Sequence, residues 1–329
     1  DLNRSGEQDP EEPGVAAVSV SNRCEVVRTD ELGRYEIEIS AGQNLFVSQP
    51  RGFQVPVNKH QQPQFYYLHY PDGSSTGAEA DPIAWKWPTI EATGPLPARV
   101  DFPLVRLETL ELGFKTHAFA DTQARTEIEQ DMLREELVNG LIDNPFGVEL
   151  SITVGDVVYD NLALYPRHIE MMGLIGVPNW NLPGNHDLNF ESPNADLANE
   201  TYKRYFGPTY YSFEQGNVHF VALNNVEYAG EAGNNTFSNG RYRGFISSDQ
   251  LRWLAHDLEH VPKTRLIVIA THIPLLTDAP SGDTDPAVDD KRSEVINTVN
   301  LSELITLLSP FENVYAIAGH DTSNSWKKR

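Results

Sequence analysis

From Leu110 onward the sequence alternates strand-like and helix-like segments, and five of the strand-like segments each run into a residue able to bind a metal. Residues 115–120 lead to Asp121, 149–154 to Gly155-Asp156, 177–182 to Gly184-Asn185-His186-Asp187, 266–270 to Thr271-His272, and 314–318 to Gly319-His320-Asp321. Strands interleaved with helical stretches require sheets with crossover connections. In such sheets ligands bind beyond the carboxyl ends of the strands. Residues far apart in sequence are therefore expected to meet in one crevice. Any one of these pairs alone reads as a turn, whereas five in this arrangement point to a metal centre.

The intervening segments support that layout. Residues 126–142 carry Ile128 and Met132 four apart, and Leu133, Leu137 and Leu141 at i, i+4 and i+8, which predicts a helix with one apolar face. Residues 162–173 and 248–260 predict two more, the latter with Leu251, Leu254 and Leu258 inward. Asn300-Leu301-Ser302-Glu303 has the form of a capping box and predicts a helix through Leu308. Residues 266–270 are uninterrupted apolar, as in a strand buried on both faces.

The front of the chain has a different texture. Residues 1–13 are polar and acidic and read as a flexible start, residues 14–80 as a small all-β sandwich domain, and 81–108 as a Pro-rich linker whose Trp85 and Trp87 pack between domains. Residues 18–27 read as a strand that includes the single cysteine, Cys24, as a small core residue. Arg34 to Ile39 alternates polar and apolar side chains with period two, and residues 45–47 and 65–68 supply further strands. Residues 109–329 form the second domain, which is expected to be truncated at its C-terminus, since the last candidate ligand lies so near Arg329.

Composition narrows the partners. The formal net charge is -22, which disfavours nucleic acid and anionic membranes, both of which are bound through cation-rich patches. A phosphorylated small molecule remains compatible, because bound divalent metals dominate the local field. No apolar run reaches the roughly 18 residues of a membrane span, so no membrane insertion is expected. One cysteine excludes an intramolecular disulfide. The acidic surface suits a periplasmic or secreted protein, and a start at Asp1 rather than Met reads as either a removed leader or an internal fragment. Oligomeric state is not legible.

The residue types at the strand ends suit phosphate-ester hydrolysis. Two ions roughly 3.5–4 Å apart polarise phosphoryl oxygens and lower the pKa of bound water towards about 7. A carboxylate such as Asp156 can bridge two ions, Asn185 offers a neutral oxygen, and His272 and His320 offer imidazole nitrogen, a set suited to Mn, Fe or Zn more than to Ca. In the Gly- and Asn-rich stretch 227–244, Arg243 is a candidate to clamp substrate phosphate.

In these motifs the chain resembles the calcineurin-like metallophosphoesterases, whose pattern is Asp-x-His, Gly-Asp, Gly-Asn-His-Asp/Glu, an isolated His and Gly-His-x-His. Here the corresponding residues are Asp121-Thr122-Gln123, Gly155-Asp156, Gly184-Asn185-His186-Asp187, Thr271-His272 and Gly319-His320-Asp321-Thr322. The front resembles the prealbumin-like β-sandwich that precedes some bacterial members, through the phrase Val26-Val27-Arg28-Thr29-Asp30-Glu31-Leu32-Gly33-Arg34-Tyr35. The resemblance implies a four-layer α/β/β/α domain and a metal-dependent hydrolase in which metal-bound hydroxide attacks phosphorus. It implies Asp156 as the bridge, with Asn185, His272 and His320 completing one site and Asp121 and Gln123 on the other. It implies His186 as the general acid, oriented by Asp187. Gln123 and Thr322 stand where the family has histidines. The site of Asp121 and Gln123 is therefore expected to bind weakly or to prefer a harder ion such as Mn or Mg, with Asp321 as a possible substitute ligand. The implied cofactors are two divalent ions drawn from Mn, Fe, Zn and Mg. Two alternatives stay open: a phosphodiesterase rather than a monoesterase, and a degenerate member that binds a phosphorylated ligand without turnover.

Overall fold

In the computed structural model, the described residues are 12–78, 81–110, 113–230, 242–276 and 295–320. Thirteen strands and five helices position the candidate site. The front contributes an antiparallel sheet of β1 (Ser19–Ser21), β2 (Val26–Arg28), β3 (Gln43–Val47) and β4 (Tyr66–His69), in the order β2-β1-β3-β4. The single strand expected over 18–27 is thus a hairpin, broken where the Asn22 side chain accepts from the amides of Cys24 and Glu25. Residues 34–39 keep their alternation, with Tyr35, Ile37 and Ile39 half-buried between exposed neighbours, but they join no ladder. Among the described residues the all-β front is thus a four-stranded sheet with an unpaired extended segment beside it and two short antiparallel pairs, Phe53–Gln54 with Val105–Arg106 and Gly77–Ala78 with Asp81–Pro82.

Two sheets form the centre. The first, all parallel, has the order β7-β6-β5, from β5 (Thr116–Phe119), β6 (Leu150–Val154) and β7 (Asn179–Leu182). The second has the order β8-β9-β12-β13, from β8 (Tyr211–Gln215), β9 (Val218–Ala222), β12 (Leu266–Ala270) and β13 (Asn313–Ile317). Within it β8 and β9 are antiparallel, whereas β9, β12 and β13 run parallel. In chain order, a two-stranded ribbon of β10 (Val226–Tyr228) with β11 (Tyr242–Gly244) falls between β9 and β12.

The sheets face each other through apolar side chains. Trp180 of β7 stacks on Phe213 of β8 with centroids 4.0 Å apart, and Phe213 stacks on Phe220 at 4.8 Å. Helices α1 (Glu127–Glu136) and α2 (Tyr165–Gly173) cover the first sheet, through a cluster that includes Phe119, Val138, Met171 and Met172. Helices α4 (Ser248–Glu259) and α5 (Leu301–Leu308) cover the second with Trp253, Leu254, Leu258, Leu304 and Leu308. The architecture is α/β/β/α. A short helix, α3 (Glu200–Phe206), lies between this body and the front.

Helix α1 departs from its expected face. Thr126 caps it by accepting from Glu129 N at 3.2 Å, as its position suggests. The helix buries Gln130 and half-buries Leu133, while Ile128 and Met132 are 67 % and 55 % exposed. At α5 the Asn300 side chain makes no cap bond; it is spent on both backbone groups of Ile246.

The front sheet and the second central sheet share one core. Val18, Val20, Phe46 and Phe65 belong to the same apolar cluster as Trp180, Phe213 and Trp253. Gln49 pairs with Phe213, Glu214 N donates to Gln49 O at 2.8 Å, and Ser48 Oγ meets Ser212 Oγ at 2.7 Å. The front thereby covers the edge of β8, a row of backbone groups otherwise open to pairing. Trp87 packs against the cluster around α2 and α3. No described helix is long and apolar enough to cross a membrane.

Candidate metal centre

The carboxyl ends of β5, β6, β7, β12 and β13 converge, and the chain turns sharply there. Asp121, Gln123, Asp156 and His320 all take left-handed backbone conformations, with φ of 54°, 34°, 51° and 66°. Such conformations in non-glycine residues cost on the order of 1–3 kcal/mol each and persist where the surroundings enforce them. Here the enforcement is visible. Asp121 N donates to Gly155 O at 3.2 Å and Gln123 N to Asp156 O at 3.0 Å, tying the ends of β5 and β6. His320 N donates to Asp121 Oδ2 at 2.8 Å, and His186 N to Asp156 Oδ1 at 2.9 Å. Side chains at the neighbouring glycines would destroy the centre. A Cβ at Gly155 would lie 2.5 Å from the His272 ring, one at Gly184 2.2 Å from Asp156 Oδ1, and one at Gly319 2.6 Å from Asp121 Oδ2.

At the core of the centre, acceptor atoms face acceptor atoms. His272 Nδ1 lies 3.0 Å from Val154 O, which fixes the proton there and leaves Nε2 with a lone pair in the neutral ring. That Nε2 lies 3.0 Å from Asn185 Oδ1, 3.1 Å from His320 Nδ1 and 3.2 Å from Asp156 Oδ1. Four groups rich in lone pairs crowd one point, and a shared cation suits them better than any arrangement of neutral hydrogen bonds. Asp156, His272 and His320 form the one metal-competent His/Cys/Asp/Glu group among the described residues.

The electrostatics agree. Burial opposes ionising Asp156, but His272 and His186 outweigh it and hold the carboxyl below its ordinary range. Burial likewise opposes charging His272, yet Asp156 raises it, so a proton there takes the place a metal cation would take. Burial and the neighbouring His272 pull His320 down to about 4, keeping its lone pair free at neutral pH. A hydrogen bond to the Val295 backbone orients that ring, and Asn225 Oδ1 holds the His272 and Ile273 amides at 3.2 and 3.1 Å.

The other half of the centre is arranged differently. Gln123 Nε2 donates to Asp121 Oδ1 at 2.9 Å and to Asp156 Oδ2 at 3.2 Å. The amide stands between two carboxylates, where a cation also fits once the amide turns its oxygen inward. The two oxygens of Asp156 thus face the two halves, as a bridge requires. Asp321 and Thr322, which bear on this half, lie outside the described residues.

His186 stands beside these ligands, its Nε2 4.0 Å from Asp156 Oδ2. The sequence reading assigned its orientation to Asp187, and the geometry corrects this. The Asp187 carboxylate is fully buried and accepts from Gly184 N at 2.8 Å, Val157 N at 3.2 Å and the Tyr165 hydroxyl at 2.9 Å. It fastens the Gly184–His186 turn to the end of β6; burial and the charge of Asp156 push it up to about 7. The carboxylate on His186 Nδ1, at 2.8 Å, is that of Asp160, a residue the motifs did not single out. Burial lowers the His186 pKa, but the bond to Asp160 and the charge of Asp156 raise it on balance. Tyr159 stacks on the His186 ring at 3.8 Å, and Arg125 lies over Tyr159 at 4.1 Å.

Arg243, the candidate phosphate clamp, is engaged on its own ribbon. Its Nε is bonded to Glu227 Oε2 at 2.7 Å across the ribbon, and its guanidinium covers the Phe245 ring. Side chains alternate along a strand, so the residue facing the centre is the adjacent Tyr242, whose ring edge meets His320 with centroids 6.0 Å apart. Burial and the charges of Asp156 and Asp160 push the Tyr242 phenol up to about 12. A cavity of about 840 Å³ lies apart from this chemistry, under the unpaired segment of the front.

Residues 2–79 match the family model described as the N terminal of calcineurin-like phosphoesterase. No curated protein matches the chain. Solved structures similar to it include a dimetal phosphatase from Danio rerio, at 17 % identity, 63 % of this chain and 81 % of that one, with a TM-score of 0.44. Phosphopantetheinyl hydrolase from Mycobacterium tuberculosis matches at 13 % identity over 64 % of this chain and 85 % of that one, with a TM-score of 0.40. PhoD matches at 12 % identity over 67 % and 54 %, with a TM-score of 0.42.

Proposed function

We propose that this chain, whose residues 2–79 match the model of the N terminal of calcineurin-like phosphoesterase, hydrolyses phosphate esters of small molecules at a divalent-metal centre. The observation that carries the proposal is the convergence of Asn185 Oδ1, His320 Nδ1 and Asp156 Oδ1 on His272 Nε2, beside a histidine held by a carboxylate. Asp156, Asn185, His272 and His320 would hold one ion, and Asp121, Gln123 and Asp156 a second, weaker one. When bound, the ions supply Lewis acidity toward the phosphoryl oxygens and a water of lowered pKa.

The protein's own groups do the remaining work. Water adds to phosphorus as the bond to the leaving oxygen breaks, and that oxygen needs a proton. His186 is placed to give it. Asp160 fixes Nδ1 as a donor, which leaves Nε2 to carry the transferable proton on the side of Asp156. Asp160 also favours the protonated ring, as a general acid requires. Asp187 keeps the turn bearing His186 against β6 and takes no part in proton transfer. Tyr159 backs the imidazole ring, and the Tyr242 side of the ribbon closes the opposite wall.

A second reading is favoured by one observation: the Gln123 amide already bridges Asp121 and Asp156, as it would in a protein that binds one ion and a phosphorylated ligand without turnover. His186→Ala separates the two. In the hydrolase it leaves metal content unchanged and slows an alkyl phosphate by the roughly 10²–10⁴ of a positioned acid. It slows p-nitrophenyl phosphate far less, since that leaving group hardly needs protonation. Equal rates for parent and variant on both esters would remove His186 from the reaction. An Mn-loaded parent that cleaves neither a mono- nor a diester would leave the binding protein as the better account.

A further inference from the structure

The β10–β11 ribbon has a second side. Tyr242 faces His320, while Asn224, Val226 and Glu227 line a separate cavity of about 570 Å³ bounded by the front sheet, α3 and the start of α4. The volume falls within the roughly 300–1,000 Å³ common for small-molecule sites.

Arg23 lines this cavity at the tip of the β1–β2 hairpin, and its position is built with care. Its backbone is left-handed, with φ of 80°. Its amide donates to Ser21 Oγ at 3.0 Å, and its carbonyl accepts from the Tyr210 hydroxyl at 2.9 Å. The next carbonyl, that of Cys24, lies 3.0 Å from His256 Nδ1 on α4. Residues at the start of β8 and on α4 therefore lock the turn, and the Arg23 guanidinium lies over the Tyr210 ring at 4.9 Å. No carboxylate among the described residues pairs with it.

The surrounding acids are committed or exposed. Glu200 is taken by Lys203 Nζ at 2.8 Å, the Ser74 hydroxyl at 2.5 Å and the Tyr70 hydroxyl at 3.2 Å. Glu227 holds Arg243. Asp72 and Asp196 are exposed, where water screens them. The charge left without a counter-charge inside is that of Arg23, in a chain whose net charge is -22. Its side-chain partner is Tyr210, a neutral phenol that leaves the charge uncompensated, and the guanidinium fork matches the paired oxygens of a carboxylate or phosphate.

We propose that this cavity binds a small organic anion, carrying a carboxylate or a phosphate group, through Arg23 and independently of the metal centre. The two sites share a thin wall. Gln250, on the cavity side, bonds both backbone groups of Asn224, at 2.9 and 2.8 Å, and the next residue, Asn225, holds the His272 amide. An occupant of the cavity is thus one residue removed from a metal ligand.

The test is calorimetric titration of the Mn-loaded chain with inorganic phosphate and, separately, with succinate, in the parent, Arg23→Gly and Arg23→Lys. Glycine suits the left-handed backbone at this position, so Arg23→Gly removes the side chain while easing the turn. The parent should bind at least one of the two anions at a site that Arg23→Gly loses, with affinity falling tenfold or more. Arg23→Lys, which keeps the charge but not the fork, should fall between them and carries the test if the glycine variant fails to fold. Loss of the phosphate site alone would identify a phosphate ligand, and loss of the succinate site alone a carboxylate. If both variants bind both anions with the parent's stoichiometry and affinity, or if the parent binds neither anion beyond the metal centre, the proposal is overturned.

Discussion

The two halves of the metal centre use the same bridging residue and differ in everything around it. On the Asp156 Oδ1 side, two histidines and an asparagine converge with their proton positions fixed by Val154 O and the Val295 backbone, and all but His320 are fully buried. On the Oδ2 side, two carboxylates are satisfied by a side-chain amide that must rotate before it can ligate. The first half is preorganised, because its lone pairs have no better use than a cation. The second has a stable arrangement of its own, and an ion entering it must displace two hydrogen bonds. Unequal affinity therefore follows from the geometry as well as from the ligand chemistry.

The largest effects should come from the preorganised half. His272→Ala removes the atom on which the other three groups converge, so metal content by elemental analysis and hydrolysis should fall together to background. An enzyme that kept its metal after this change would break the comparison. Next is Asp160→Asn. It keeps a side chain of the same size beside His186 but removes the charge, and should slow alkyl esters about 10-fold or more while sparing metal binding and p-nitrophenyl phosphate. Asp187→Asn should instead act on folding: a buried carboxylate that satisfies two amides and a hydroxyl is lost, costing on the order of 2–3 kcal/mol by thermal or denaturant unfolding. If Asp160→Asn proved silent and Asp187→Asn altered the pH dependence of turnover alone, the assignment of the two carboxylates would be reversed.

These contrasts also show which parts of the site the sequence could disclose. Strand ends were legible because each is a short local signal, a strand-like run that ends in a ligand, in four of the five through a glycine or threonine, and five such signals support one another. Asp160 carried no such signal. It lies in a turn four residues beyond Asp156, and only the fold of that turn brings it to His186. Asp187 was misread because adjacency in sequence suggested contact, whereas a left-handed turn at Asp156 brings the Val157 amide, not the imidazole, to its carboxylate. The pairing of Arg243 with Glu227 was not legible either, because sequence does not say which face of the ribbon meets the metals. In the same way, Ile128 and Met132 fit a helical period, but period alone does not say which stripe the neighbouring sheet covers. The alternation of residues 34–39 survived as alternate burial without a partner strand, since burial period and backbone pairing are separate properties.

The smallest effect expected is also the most specific to the comparison. Gln123→His exchanges an amide for an imidazole and frees Asp121 and Asp156 from their shared donor. The affinity of the weaker ion should rise by about 10-fold, roughly 1.4 kcal/mol, with the tighter ion unchanged. A variant with unaltered affinity at both halves would mean that the amide already ligates as well as an imidazole does.

The most direct measurement is hydrolysis of p-nitrophenyl phosphate and its bis ester by metal-stripped protein as Mn is added in counted equivalents. The first equivalent should bind tightly with little turnover, and activity should climb with a second, weaker equivalent, in step with loading of the Asp121–Gln123 half. Activity that saturates with the first equivalent would contradict the two-ion reading, and no hydrolysis at any loading would contradict the enzyme.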